Sequence, residues 1–260
     1  MAPLQTYKDR WWAKSGDGTT HEFGHTLLRS NLPEDQAFLP KGEAPSEVTD
    51  EAMARLYQNF IYRSESFWEF FGPIADKEFG IENDPEEVYR SFKAIDPENT
   101  ERVVADQITY PLHVALRYEI ERDLLNGEME VEEVPEVWDE KLHEYIGQHF
   151  GMTREEIEEL PDTKKALADV HWGKGKFGYF PTYSQGDALA AELYEEMDQK
   201  LEKDVEDYVK EGELGPINEW LEENIHRYGK AYDQKLKEKE LGPEPLLNWM
   251  RETAENLYGN

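Results

Sequence analysis

The sequence predicts a mainly α-helical fold, organised as a single helical domain with at most a short β-hairpin. Apolar residues recur at three- and four-residue steps through several long segments, and glycine or proline stands at the ends of some of them. Strand-like alternation is rare. Aromatic residues make up 12% of the 260 residues, which favours a folded chain over a disordered one despite the high charge.

The segment Thr49–Phe71 has the clearest helical pattern, with apolar residues along one face. Gly72 and Pro73 are expected to end this helix, because neither residue favours a helix interior. Met129–Val131 alternates briefly as a strand would, and the aromatic segment Phe177–Tyr183 is expected to be a loop or a short hairpin. Further helices are expected over Leu112–Leu125, Pro135–Phe150, Thr153–Leu160, Ala188–Tyr208, Ile217–Tyr228 and Pro245–Leu257.

The charge balance limits the classes of partner. The chain has 28 basic and 58 acidic residues, a formal net charge of −30 at pH 7. Nucleic acids and anionic membranes bind positive patches, so neither is an expected partner. An acidic surface of this kind is typical of proteins from salt-loving archaea, in which cations screen the repulsion; an ordinary acidic cytosolic protein is the alternative. Neither a signal peptide nor a long apolar run is present, so a cytoplasmic location is expected.

The chain contains no cysteine, which excludes disulfides, thiolate metal sites and cysteine nucleophiles. Any metal must therefore be held by histidine, aspartate or glutamate. The pentapeptide His21-Glu22-Phe23-Gly24-His25 offers such a site, because on a helix the two histidines lie one turn apart on the same face. Glu22, beside them, can take a proton from a metal-activated water. The metal-binding helix would then lie near the N-terminus.

A third ligand completes a catalytic site of this kind, and acidic residues are too numerous for composition to select one. Glu51 lies near the start of the expected helix Thr49–Phe71 and points away from its apolar stripe. This position allows Glu51 to face a cleft, and it equally allows the side chain to face bulk water. The residues alone leave both alternatives open.

Further blocks follow the pentapeptide His21–His25 in a fixed order and at compatible spacing. They are Asp50–Arg55, Glu101–Tyr110, Ala166–Trp172, Phe177–Tyr183 and Ile225–Gly229. In these blocks the chain resembles the thermostable carboxypeptidase Taq family of zinc metallocarboxypeptidases. The similarity covers residues 18–260, so residues 1–17 are expected to be an N-terminal extension.

The resemblance implies a metal site and a general base. His21, His25 and Glu51 would bind zinc, with cobalt(II) as the alternative ion, and Glu22 would be the general base. The substrate would be a peptide with a free C-terminus, from which single amino acids are released. A homodimer is an open alternative to a monomer.

The resemblance also implies three residues that act on the substrate. Arg102 would hold the C-terminal carboxylate, a task that suits a planar and always charged guanidinium. Tyr183 and His171 would donate hydrogen bonds to the developing oxyanion. Arg102 could instead be a surface residue or the partner of Asp106. Tyr183 could be core packing, and His171 a hydrogen-bonded core histidine.

The chain departs from the family pattern at several positions. Asp50 stands where the family has histidine, and Ala52 and Met53 replace its serine and glutamine. Gln107 replaces a glutamate, and Ala168 replaces a glutamine. Family members are typically longer, with a large helical region before the metal helix. The sequence therefore predicts a catalytic region that lacks the family's N-terminal half.

Three functions are consistent with these features. The first is a zinc carboxypeptidase reduced to its catalytic half. The second is a truncated remnant that folds and binds a metal or a partner without useful turnover. The third is a metalloendopeptidase, which Arg102 argues against because its block in the family recognises a free carboxylate.

Overall fold

The computed structural model of the chain describes residues 11–96, 99–166, 169–238 and 242–259. These residues are mainly α-helical and contain no β-strand, which confirms the predicted fold class. No helix in this part of the chain is long and apolar enough to cross a membrane. Residues 1–10 of the expected N-terminal extension and the departure at Ala168 lie outside the described residues.

The chain divides into two compact units. The first unit comprises Met1–Lys93 and Gln185–Asn260, and the second unit comprises Ala94–Ser184. Each unit has a buried apolar cluster of its own. The pentapeptide belongs to the first unit, and Arg102 belongs to the second.

The helices of the described residues follow one another along the chain in a fixed order. They are α1 Trp11–Ser30, α2 Glu47–Arg55, α3 Glu65–Phe79, α4 Pro85–Lys93, α5 Tyr110–Asn126, α6 Val134–Leu142, α7 Gln148–Phe150, α8 Arg154–Glu158, α9 Phe180–Lys200, α10 Val205–Glu211, α11 Gly215–Asn224, α12 Tyr232–Glu238 and α13 Glu244–Tyr258. A π-helical segment, Leu56–Tyr62, continues α2, and another, His143–Gly147, joins α6 to α7. Short 3₁₀ turns include Arg102–Val104 and His226–Ala231.

The helix expected over Thr49–Phe71 is interrupted, and its expected end is wrong. After the π-helical segment the chain turns at Ser64, whose hydroxyl accepts a hydrogen bond from the Phe67 amide at 3.1 Å and so starts α3. Helix α3 then passes through Pro73 and ends at Gly80, which has a φ of 65°. Pro73 removes one N–H donor, and water can solvate the released carbonyl because Glu69 is exposed.

The aromatic segment Phe177–Tyr183 is not a hairpin, since α9 begins at Phe180. The same helix ends at Lys200, earlier than expected, because Asp198 accepts a hydrogen bond from the Val205 amide at 2.7 Å and closes the turn before α10. Met129–Val131 forms no strand; a 3₁₀ turn capped by Glu130 follows instead. The other expected helices are confirmed, with shifted ends.

The core of the first unit lies between α1, α2, α9 and α11, and that of the second lies between α5, α6 and α8. Leu189, Leu193 and Met197 of α9 are fully buried, as their four-residue spacing predicts. The apolar core of the second unit contains the buried side chains of Ile120, Trp138 and Ile157. The core of the first unit fixes the positions of α1 and α2, which carry the pentapeptide and Glu51.

Candidate metal centre

Helices α1 and α2 bring His21, His25 and Glu51 together in the first unit. The Nε2 atom of His21 lies 3.9 Å from Glu51 Oε1, and the Nε2 atom of His25 lies 3.9 Å from Glu51 Oε2. One ligand atom from each residue falls within 4.8 Å of the others. Three ligands placed 2.0–2.1 Å from one ion in a tetrahedron would be separated by about 3.4 Å. Small movements of these side chains therefore bring them into ligand positions.

Two glycines allow the backbones to approach this closely. A methyl group at Gly24 would lie 2.5 Å from the backbone oxygen of Met53, so α1 packs directly on α2 through the glycine of the pentapeptide. A methyl group at Gly186 of α9 would lie 3.0 Å from Glu51 Cγ. Glu51 is thereby held between two helices and is 4% exposed, which excludes the bulk-water alternative.

The outer nitrogen of each histidine is tied to an acceptor. His21 Nδ1 lies 3.0 Å from Gln58 Oε1, and His25 Nδ1 lies 2.9 Å from Asp50 Oδ1. An acceptor at Nδ1 keeps the proton there and leaves the Nε2 lone pair free for a ligand. Both free lone pairs belong to the atoms nearest Glu51. The donor set of two imidazoles and one carboxylate therefore fits a divalent metal ion.

Asp50, which departs from the family pattern, has a clear structural place. Besides His25 it accepts a hydrogen bond at 2.6 Å from Arg29 Nη2. Burial opposes the charged form of Asp50, but the hydrogen bonds and charges of His25 and Arg29 outweigh it and lower the pKa of the carboxyl. The residue thus remains an anionic acceptor for His25.

Burial and nearby charges shift the pKa values of the three candidate ligands in different directions. Burial lowers the pKa of His21 to about 4, with a further contribution from the Arg55 guanidinium. Burial also opposes the charged form of His25, but the hydrogen bond and charge of Asp50 outweigh it and raise its pKa. Burial raises the pKa of Glu51, although Arg55 Nε donates to Glu51 Oε1 at 3.1 Å and opposes the shift. His21 is therefore neutral at pH 7, the state that a metal ligand requires.

Glu22 follows His21 on α1 and has an exposed side chain. Its charge acts on both histidines and favours their protonated forms. An exposed carboxylate beside the two imidazoles is accessible to a water molecule and to a substrate. The role of Glu22 as a general base stays a prediction.

Arg102 lies in the second unit and is 8% exposed. Its Nε and Nη2 atoms donate to Asp169 Oδ1 at 3.0 and 2.8 Å, and Nη1 donates to Tyr110 Oη at 2.9 Å. The guanidinium also stacks on the Tyr183 ring, 4.6 Å from its centroid. Asp106 is not its partner, because that carboxylate accepts from residues at the start of α5. Both structural alternatives for Arg102 are therefore wrong.

A second arginine shares the same carboxylate. Arg117 Nε donates to Asp169 Oδ2 at 2.6 Å, and Arg117 Nη1 donates to the His113 carbonyl at 2.7 Å. Burial opposes the charged form of Asp169, but the two arginines outweigh it and lower its pKa. Sequence reasoning assigned no role to Asp169 or Arg117. Asp169 stands inside a recognised block, whereas Arg117 carries no sequence signal, because its partner is distant along the chain.

Tyr183 and His171 contact each other in the second unit. His171 Nε2 lies 3.0 Å from Tyr183 Oη, and the His171 ring also packs on Phe180, with ring centroids 4.4 Å apart. Burial, followed by the charge of Arg102, lowers the pKa of His171. A neutral His171 can either donate to Tyr183 or accept from it, depending on which nitrogen carries the proton.

Comparison with known proteins gives a consistent result. A family model described as carboxypeptidase Taq (M32) metallopeptidase matches residues 4–250. Thermostable carboxypeptidase 1 of Thermus thermophilus is 32% identical over 249 residues, which is 93% of this chain and 47% of the relative. The chain thus spans about half the length of the curated relatives it matches.

Solved structures agree with the sequence comparison. Trypanosoma cruzi metallocarboxypeptidase 1 is 35% identical with a TM-score of 0.78, over 94% of this chain and 50% of that chain. The M32 carboxypeptidase of Deinococcus radiodurans is 28% identical with a TM-score of 0.81, over 94% and 49% respectively. The chain therefore belongs to the carboxypeptidase Taq (M32) metallopeptidase family.

Proposed function

We propose that this chain is a zinc-dependent metallocarboxypeptidase that releases amino acids from the C-termini of peptides. One observation carries the proposal: the Nε2 atoms of His21 and His25, each freed by an acceptor at Nδ1, face the buried carboxylate of Glu51. Two imidazoles and a carboxylate form a ligand set used by catalytic zinc. Cobalt(II) is the alternative ion, since it accepts the same nitrogen and oxygen ligands. The names of the curated relatives, carboxypeptidases, support the reaction class.

The residues of the first unit would handle the proton of the attacking water. A zinc ion held by His21, His25 and Glu51 would supply a Lewis acid that polarises the peptide carbonyl and acidifies water. Glu22 would take the proton from the attacking water and deliver it to the leaving amine. Its exposure on α1 leaves the carboxylate free to approach both groups.

The residues of the second unit would bind the chain end and the developing charge. Arg102 would pair with the free carboxylate, which is what distinguishes a C-terminal residue from an internal one. With the proton on Nε2, His171 donates to Tyr183 Oη, and the hydroxyl proton of Tyr183 is then available to an oxyanion.

The experiment compares a peptide with a free C-terminus against the same peptide amidated. Parent protein loaded with zinc is expected to cleave the free form only. Glu22→Gln is expected to lower turnover by about 10²–10⁴-fold, because proton transfer is lost, without changing zinc content. Glu155→Gln, an exposed acid of the second unit, is the matched control and should match the parent.

The remaining outcomes separate the alternatives. Equal cleavage of both peptides would identify an endopeptidase. No cleavage of either peptide by protein with one zinc per chain would favour the alternative of a chain that binds metal without turnover.

A further inference from the structure

A hydrogen-bonded chain of side chains runs from Arg63 to the metal ligand His21. Asp17 lies four residues before His21 on α1. Its carboxylate accepts from Arg63 Nε at 2.6 Å and from Arg63 Nη2 at 2.7 Å, and it accepts from Gln58 Nε2 at 2.8 Å. Gln58 Oε1, at the other end of the same amide, lies 3.0 Å from His21 Nδ1. Asp17 and Arg63 are therefore connected to the centre although neither touches a ligand.

The helices are packed so that the hydrogen bonds between Arg63, Asp17, Gln58 and His21 are shielded from water. A methyl group at Gly16 would overlap the Tyr62 ring, so the glycine lets α1 lie against the π-helical segment Leu56–Tyr62. The side chains of Asp17 and Arg63 are only 14% and 10% exposed. Hydrogen bonds in such a setting are not readily exchanged for bonds to water.

The direction of the Gln58 amide decides which nitrogen of His21 carries the proton. An amide presents either its oxygen, which accepts, or its NH₂ group, which donates. If the NH₂ group faced His21 Nδ1, that nitrogen would have to accept, and the proton would move to Nε2. A protonated Nε2 cannot bind a metal. The centre therefore needs the amide oxygen at His21.

Asp17 selects this orientation because an ionised carboxylate only accepts hydrogen bonds. Facing Asp17, Gln58 must present its NH₂ group, and its oxygen then faces His21. Arg55 Nη1, 3.4 Å from Gln58 Oε1, supports the same orientation through a longer contact. Arg63 keeps Asp17 in place by a two-pronged ion pair.

His25 needs no further residue to orient its hydrogen-bond acceptor. His25 Nδ1 faces the carboxylate of Asp50 directly. A carboxylate has two acceptor oxygens, so its rotation leaves an acceptor at the histidine. Among the described residues, Asp17 and Arg63 give such support to His21, because the Gln58 amide could otherwise rotate and present its NH₂ group to His21.

From this geometry we propose that Asp17, held by Arg63, is a positioning residue for the metal centre, which orients the Gln58 amide and thereby sets the tautomer of His21. The inference rests on the proposed function, because it assumes that His21 binds a metal. It extends the centre to residues that none of the recognised blocks contains.

The first experiment measures the affinity for zinc by competition with a chelator at fixed salt. Asp17→Asn is nearly isosteric but can face Gln58 with either end of its amide, so affinity is expected to fall by about 10–100-fold. The double variant Asp17→Asn/Gln58→Glu is expected to recover most of the affinity, because an acceptor-only group then faces His21 and the charge of the cluster is conserved. Asp198→Asn, a half-buried carboxylate of the same unit that accepts a backbone N–H, is the matched control and should equal the parent.

The second experiment reads the tautomer without metal. Proton–nitrogen NMR correlations of the histidine rings at pH 8 should show the His21 proton on Nδ1 in the parent and a population on Nε2 in Asp17→Asn. Parent-like affinity and tautomer in Asp17→Asn would overturn the inference. A loss that the double variant fails to recover would also overturn it, since the role of Asp17 would then be structural. A parent that binds no metal would instead overturn the proposed function.

Discussion

At the scale of single residues, Arg102 differs most from the simplest expectation for a carboxylate-binding group. It is buried rather than exposed, and Asp169 and Tyr110 already accept three of its hydrogen bonds. Arg117 shares Asp169, so two cations surround one carboxylate. The cluster therefore carries one uncompensated positive charge in a chain whose net charge is −30. A substrate carboxylate would balance that charge.

Replacement of Arg102 by lysine tests this role. Arg102→Lys keeps the charge, but its three N–H donors cannot replace the three present hydrogen bonds to Asp169 and Tyr110 and also bond a substrate. The value of kcat/KM for a free-C-terminal peptide is therefore expected to fall. The loss of one charged hydrogen bond, about 1.5–3 kcal/mol, corresponds to a fall of about 10–150-fold. Arg122→Lys is the control, because that exposed arginine pairs with the adjacent Asp123. Unchanged kinetics in Arg102→Lys, at equal zinc content, would remove Arg102 from substrate binding.

The three candidate ligands could be predicted from the sequence, but the residues that hydrogen-bond to them could not. His21 and His25 are adjacent on one helix, so their geometry follows from spacing alone. Glu51 needed the family resemblance, because periodicity left it facing either a cleft or water. Asp17 and Gln58 carry no local signal, since their roles depend on how closely α1 packs against the π-helical segment.

At the scale of elements, close packing of α1 on α2 brings the three candidate ligands together. Both helices are polar along much of their length, and Gly24 lets their backbones approach. The helix interruption at Ser64 was not predictable from apolar periodicity, because the buried face continues on either side of it. Its signal is local instead: a serine whose hydroxyl can cap the next helix.

A pair of glycines on α1 tests the packing. Gly24→Ala would place a methyl group 2.5 Å from the Met53 oxygen, so the helices must separate, and the free energy of unfolding is expected to fall by about 1–3 kcal/mol. Gly18→Ala meets nothing within 4 Å and is expected to stabilise the helix by about 0.5–1 kcal/mol. Urea unfolding at fixed salt measures both. Similar effects of the two substitutions would contradict close packing at Gly24.

At the scale of the whole molecule, charge dominates the behaviour of the chain. Its 58 acidic residues against 28 basic ones leave a net charge of −30, which opposes the compact state. The described ion pairs are few by comparison, and many are exposed pairs of small value. Screening by salt is therefore expected to contribute to stability.

The melting temperature followed by circular dichroism should rise on moving from low to molar potassium chloride. The screening length falls from about 10 Å at 0.1 M to about 3 Å at 1 M, so repulsion between carboxylates weakens. A melting temperature that is the same at both concentrations would leave the prediction of a halophilic protein without support. Light scattering at the higher concentration tests the homodimer, which stays a prediction.

The most direct test of the central claim is the metal content of the purified chain. After dialysis against metal-free buffer in molar potassium chloride, elemental analysis of parent protein should give close to one divalent ion per chain. His25→Ala should lose most of it, because two ligands then remain, whereas His149→Ala, an exposed histidine of the second unit, should retain it. Negligible metal in the parent, or equal metal in parent and His25→Ala, would contradict a centre formed by His21, His25 and Glu51.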